Sequence, residues 1–192
     1  MNSIATNFPA DMGGPAPTIE LTEFGDFTCG QCRRSRSLLS SVVSAFDGRV
    51  RYTYRHFPNE RSDASRMAAL AAEAARRQEQ FWPMYQALFT LPTITRTTLS
   101  MLAISLGLQY HQFLTDLDDE DLHHRIEADR RDGHQLGVMT TPALFVDGHR
   151  FYGKMTLSRL APLIQSHLSR HAQPVLSKVD VARGMIYWGR GE

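Results

Sequence analysis

Polar and apolar positions change period several times along this 192-residue chain. In "PTIELTEFG", from Pro17, Ile19 and Leu21 share one face, Phe24 falls on the other and Gly25 ends the run, which predicts a strand. Glu23 has the parity of Ile19 and Leu21, so an acid sits on an otherwise apolar face. From Cys29 to about Phe46 the spacing of Leu38, Leu39, Val42, Val43 and Phe46 predicts a helix, stopped at Asp47-Gly48. "RVRYTYRHF" predicts a second strand, stopped by Pro58. Strand, helix, strand is a βαβ-like unit and favours a parallel pair.

From about Ser62 to Gln135 the period is helical. Ala64, Met67, Ala68, Ala71, Ala74 and Ala75 form a stripe of small residues, "FWPMYQALF" supplies bulky partners, and Leu99, Leu102, Ala103 and Leu106 form another stripe. Leu122 to Gln135 is acidic and basic by turns, the pattern of a solvated face. "TPALFVDGHRFYG" shortens the period again: Asp147-Gly148 between two apolar runs predicts a hairpin with strands near 143–146 and 149–152. Thr156 opens a last helix carrying Leu157, Leu160, Ala161, Ile164 and Leu168. The expected organisation is a flexible extension (1–16), a discontinuous α/β domain (17–61 and 136–171), a helical insertion (62–135) and a tail (172–192) containing "GMIYWG".

Composition narrows the function. The net charge is +1, and no polybasic or aromatic-interleaved basic patch argues for a nucleic-acid partner. No stretch approaches eighteen apolar residues, so no membrane insertion is expected. "MNSIATNFPADMGGPAP" lacks the charged and apolar regions of an export signal. A cytoplasmic location is the expectation for the chain as written, with a periplasmic or extracellular one the alternative if a signal has been removed.

Cys29 and Cys32, in "DFTCGQCRR", are the two cysteines of the chain. Spaced i, i+3 at a helix start, they share a face and are close enough for a short disulfide, near backbone N–H groups that stabilise a thiolate. Lowering a thiol pKa from about 8.5 to about 6 raises the ionised fraction at pH 7 from about 3% to about 90%. "TCGQ" matches a capping box, with Thr28 as N-cap, Cys29 as first helical residue and Gln31 reaching back. Arg33, Arg34 and Arg36, cations in the first turns, fit better beside a thiolate than alone. Two other readings of the cysteines stand: half of a zinc site completed by His167 and His171, and an inert local staple.

The stretches "EFGDFTCGQC", "YRHFP", "AALAAEAARRQEQFWPMYQALF", "LGVMTTPALFVDG" and the following Gly153 together resemble the DsbA-like branch of the thioredoxin superfamily, over about residues 17 to 170. The resemblance implies a thioredoxin-like fold with an inserted all-helical domain. It implies a thiol:disulfide oxidoreductase that needs no cofactor, acts on protein or peptide thiols and exchanges electrons with an unidentified redox partner. Cys29 would be the nucleophile, Cys32 the resolving cysteine, and Thr141-Pro142 a cis pair beside the disulfide that offers backbone hydrogen bonds to substrate. Glu23 would be a buried acid relaying a proton, its pKa raised towards neutrality; the plainer alternative is a strand-edge acid facing water. Gly30-Gln31 departs from the Pro-Tyr or Pro-His common in the family, and that dipeptide tunes the potential. Relatives span about −120 to about −270 mV, or about 7 kcal/mol. A structural zinc module or a non-catalytic peptide-binding module on the same fold are the alternatives to an enzyme.

Overall fold

The computed structural model describes residues 18–46 and 48–172. The expected extension at 1–16, Asp47, and the tail from residue 173 with its "GMIYWG" lie outside the described residues. The element order is β1 (Ile19–Gly25), α1 (Gly30–Ala45), β2 (Val50–His56), α2 (Asp63–Arg76), α3 (Phe81–Leu88), α4 (Arg96–Ser105), α5 (Tyr110–Asp116), α6 (Glu120–Gln135), β3 (Ala143–Val146), β4 (His149–Arg150) and α7 (Leu157–Ala172). This is a thioredoxin-like α/β fold with a helical segment between β2 and β3.

The four strands lie in the order β2-β1-β3-β4, with β1 parallel to β2 and antiparallel to β3. β1 is central because both of its faces are apolar and can be covered. One face carries Ile19, Leu21, Tyr52, Leu144 and Val146 against Leu39 and Val42 of α1 and Leu160 and Ile164 of α7. The other carries Phe24 and Phe145 against Phe57 and Val138. Gly133 lets α6 approach that second face: a Cβ there would come within 2.8 Å of the Phe57 ring and 3.1 Å of Phe24. Such closeness is what a glycine in a packed helix permits.

The helical segment, read as one long region, is five helices. Gly107 at φ +72° and Glu79 at φ +60° supply left-handed turns that end α4 and follow α2. Side-chain caps start three of them: Ser62 accepts from Ser65 N–H at 3.2 Å, Thr95 and Thr98 form a reciprocal box, and Asp119 accepts from Asp121 N–H at 2.8 Å. The alanine stripe of α2 is almost wholly buried and packs on α3, whose aromatic side chains fill the space the alanines leave. Buried charge ties this segment to the sheet. Arg55 bonds Asp129 and Asp132 at 2.6 Å each, and His56 meets Glu73 at 2.6 Å.

The second hairpin strand is shorter than expected, 149–150 instead of 149–152: Phe151 N–H still donates to the Leu144 carbonyl at 2.7 Å, but the chain then turns at Gly153, φ +93°, and the pairing goes no further.

Candidate active site

The sheet delivers both cysteines to the C-terminal end of β1. Cys29 ends the loop after β1 and Cys32 sits one turn into α1, so Cys32 is buried at 1% exposure while Cys29 is partly open. In this structure both are free thiols.

The capping arrangement differs from the expected one. Cys29, not Thr28, is the N-cap residue, its carbonyl accepting the first helical bond from Arg33 N–H at 3.1 Å, and no side chain caps α1. Gly30, not Cys29, is the first helical residue. The Thr28 hydroxyl points instead to Asp26, which accepts from Thr28 N–H at 2.8 Å and from its Oγ1 at 2.9 Å. Asp26 also accepts from Asn59 N–H at 3.2 Å, and the Asp26 carbonyl from Cys29 N–H at 3.0 Å. An Asx turn, with Asp two residues before its donor, competes directly with a Thr cap and here wins because it also ties down the β2–α2 loop. The "D-x-T" spacing was the available signal. Gly30 and Gln31 are exposed, and a Cβ at Gly30 would meet only Arg34 at 3.5 Å.

The electrostatics of the two sulfurs diverge. Cys29 is lowered to about 5, first by a hydrogen bond from the Cys32 thiol; burial opposes this, and the Thr141 side chain and the N–H groups of Cys32 and Gln31 add to it. Amides at the helix start therefore contribute, but the neighbouring thiol contributes more. Of the three arginines, Arg36 is committed away from the thiolate: it donates to the Gln86 carbonyl at 2.8 Å and lies over Phe89. Cys32 is pushed far up, first by its hydrogen bond to Cys29 and then by burial and the nearby Glu23.

Opposite the pair, the Thr141–Pro142 peptide bond is cis and the Thr141 carbonyl accepts from the Cys29 thiol at 3.4 Å. Glu23 is 1% exposed on the face of β1 that carries Ile19 and Leu21, which excludes a strand-edge acid in water. Burial raises its carboxyl to about 7, against a lowering hydrogen bond from Tyr52. Tyr52 donates to Glu23 Oε2 and lies 3.2 Å from the Tyr85 hydroxyl, while Glu23 Oε1 is buried with no hydrogen-bond partner. Tyr52 was missed as a site residue; its parity with the inward residues of β2 was the only hint.

His167 and His171 do not join the cysteines. Both ring nitrogens lie 3.0 Å from Asp147 Oδ2, clasping α7 to the β3–β4 turn. Among the described residues, no group of three or more His, Cys, Asp or Glu side chains is placed to hold a metal ion, and no helix is long and apolar enough to cross a membrane.

A cleft of about 520 Å³ opens on Cys29, bounded by Asp26, Thr28, Thr141, the β2–α2 loop and the end of α6. A free, acidic sulfur at the rim of a cleft with a buried thiol behind it is an arrangement suited to thiol–disulfide exchange, and a protonatable carboxyl lies near the buried thiol.

Comparison with known proteins adds lineage to this geometry. A family profile described as thioredoxin matches residues 9–166. The Na(+)/H(+) antiporter NhaA 1 of Mycolicibacterium gilvum is 32% identical over 158 residues, 80% of this chain, yet the chain spans only 26% of that protein. Among solved structures, a thioredoxin-like oxidoreductase from Silicibacter pomeroyi DSS-3 superposes with TM-score 0.73 at 28% identity, covering 84% of this chain and 90% of that one. The thiol-disulfide exchange protein alpha-DsbA2 from Wolbachia pipientis superposes with TM-score 0.73 at 20% identity, covering 84% and 88%.

Proposed function

From the premise that this chain belongs to the thioredoxin family, in its DsbA-like branch, we propose that it exchanges disulfides with protein or peptide thiols through a mixed disulfide at Cys29. The observation that carries this is the opposition of the two sulfurs: Cys29 open and lowered to about 5, Cys32 buried and raised.

In the oxidising direction a substrate thiolate attacks Sγ of Cys29 in the Cys29–Cys32 disulfide, and Cys32 leaves and takes up a proton. A second substrate thiolate then attacks the substrate sulfur of the mixed disulfide, and Cys29 leaves as a stabilised anion. The substrate is oxidised by two electrons and the protein is reduced. Glu23, near neutrality in its pKa and with one oxygen unengaged, is the group proposed to exchange the Cys32 proton, and Tyr52 holds it in place. Thr141 and Pro142 are proposed to position the extended substrate segment.

The direction follows from the same asymmetry. A leaving thiolate of low pKa departs readily, and stabilising the reduced form makes the disulfide a stronger oxidant. The proposed role is therefore oxidant, and the compartment one where disulfides persist, outside the reducing cytosol. This favours the periplasmic or extracellular alternative over the cytoplasm.

Trapping tests the reading. Cys32→Ser is expected to accumulate a mixed disulfide on Cys29 with substrate in extracts, released by reductant. No adduct from any compartment, together with no thiol-oxidising or insulin-reducing activity in the wild type, contradicts it.

A further inference from the structure

The charges around the cleft at Cys29 are unevenly committed. Asp26 already accepts three donors. Glu60 is engaged by Arg130, whose side chain is only 10% exposed and is also bonded to Glu127 at 3.0 Å. Glu60 itself is 66% exposed, so water competes for it and another carboxylate can take its place on Arg130. Arg61, on the same wall, is exposed; its backbone N–H bonds Asn59, and its guanidinium has no hydrogen bond or ion pair among the described residues. Both carboxylates of the cleft are thus neutralised or satisfied, and the uncommitted charge is a guanidinium that lines the same cleft as Cys29. Met139, 77% exposed, adds one apolar contact at the rim.

The geometry points to a carboxylate-binding subsite formed by Arg61 and the Arg130–Glu60 pair, selecting substrates that carry an acidic group beside the reacting sulfur. This rests on the thiol–disulfide reading and gives it a substrate class. The acidic group comes either from a small tripeptide thiol of the glutathione kind or from an Asp or Glu flanking a cysteine in a polypeptide. Arginine suits this role because its planar fork matches a carboxylate.

The reduced full chain is mixed with either of two aromatic disulfides, dianionic dithiobis-nitrobenzoate or neutral dithiodipyridine. In each case Cys29 attacks one sulfur, one aromatic thiolate leaves, and Cys32 displaces the second as the protein becomes oxidised. The anionic-to-neutral rate ratio, divided by the same ratio for a free cysteine peptide, is the readout; differences in folding cancel within each variant. The expected ratio is about threefold or more at low salt, falling towards one as salt screens it. Arg61→Glu is expected to bring it below one, and Glu60→Gln, which frees Arg130, to raise it. A wild-type ratio of one or less that neither variant moves overturns the subsite, while reaction of the neutral disulfide leaves the exchange reading standing. Failure of Cys29 to react with either probe overturns both. Oxidised glutathione and a Glu-flanked peptide disulfide, each compared with a Gln-flanked peptide, identify the source: preference for either supports the subsite, and preference for neither overturns it.

Discussion

At the scale of single residues, one hydrogen bond divides the proton affinities of two chemically identical thiols. Cys32 donates to Cys29, which favours the anion at Cys29 and the neutral thiol at Cys32. Thiolate absorbance of the reduced protein should therefore titrate at about pH 5, and Cys32→Ala should move the Cys29 titration upward by removing the largest stabilising contact. Glu23 carries a second prediction. A carboxyl raised from 4.5 to about 7 binds its proton more tightly when folded, so its contribution to stability is present at low pH and is lost as pH rises towards 7. Glu23→Gln should stabilise the protein relative to wild type at pH 8, by on the order of 1–3 kcal/mol, and show little difference at pH 4. Cys29, Cys32, Glu23 and the Thr141–Pro142 pair were legible because their chemistry is packed into short motifs or contradicts the local period. Tyr52 was not, since an aromatic residue in a strand reads as core until its hydroxyl is seen on a carboxylate. Nor were Arg61 and Arg130, which are brought to one wall from positions 69 apart in sequence.

At the scale of elements, the β1–α1 junction and the seat of α6 are the tight places. Asp26→Ala removes a buried acceptor of three hydrogen bonds that tie Thr28 and the Asn59 loop to the β1–α1 junction; a loss of about 1–3 kcal/mol in urea unfolding is expected, with slower reaction of Cys29 as its loop loosens. Gly133→Ala places a methyl against two aromatic rings in a packed face and should cost about 1–3 kcal/mol. Periodicity revealed β1, α1, β2, the hairpin and α7 nearly at their observed bounds, because each buries a regular face. The capping box failed where two local hydrogen-bonding options, Thr28 on the helix or Asp26 on Thr28, had similar strength and the β2–α2 loop decided between them. Within the helical region Gly107, Pro92 and the charged segment from Leu122 mark breaks in the sequence, whereas the break after α2 rests on left-handed backbone at Glu79, and glutamate gives no such signal.

At the scale of the whole molecule, redox state and pH should both be visible in stability. The lowered Cys29 pKa stabilises the reduced fold, fully above the thiol's ordinary pKa of about 8.5 and progressively less as pH falls to about 5, where the contribution is lost; the disulfide form lacks it. The reduced protein should therefore melt above the oxidised one at pH 7, with the gap closing towards pH 5. In acid a different group acts. Burial alone would raise Glu73, but the hydrogen bond and charge of His56, with Arg76 and Arg125, lower it to about 2, so its stabilisation persists above 4.5 and is lost as pH falls towards 2. The helical segment should detach from the sheet in that window, measurable as loss of near-ultraviolet circular dichroism, and Glu73→Gln should flatten the dependence. Equilibrating the protein in glutathione redox buffers tests the central claim, that the Cys29 anion makes this disulfide an oxidant. A midpoint potential well above the about −270 mV of thioredoxin is the expected result, and a value at or below it contradicts the account.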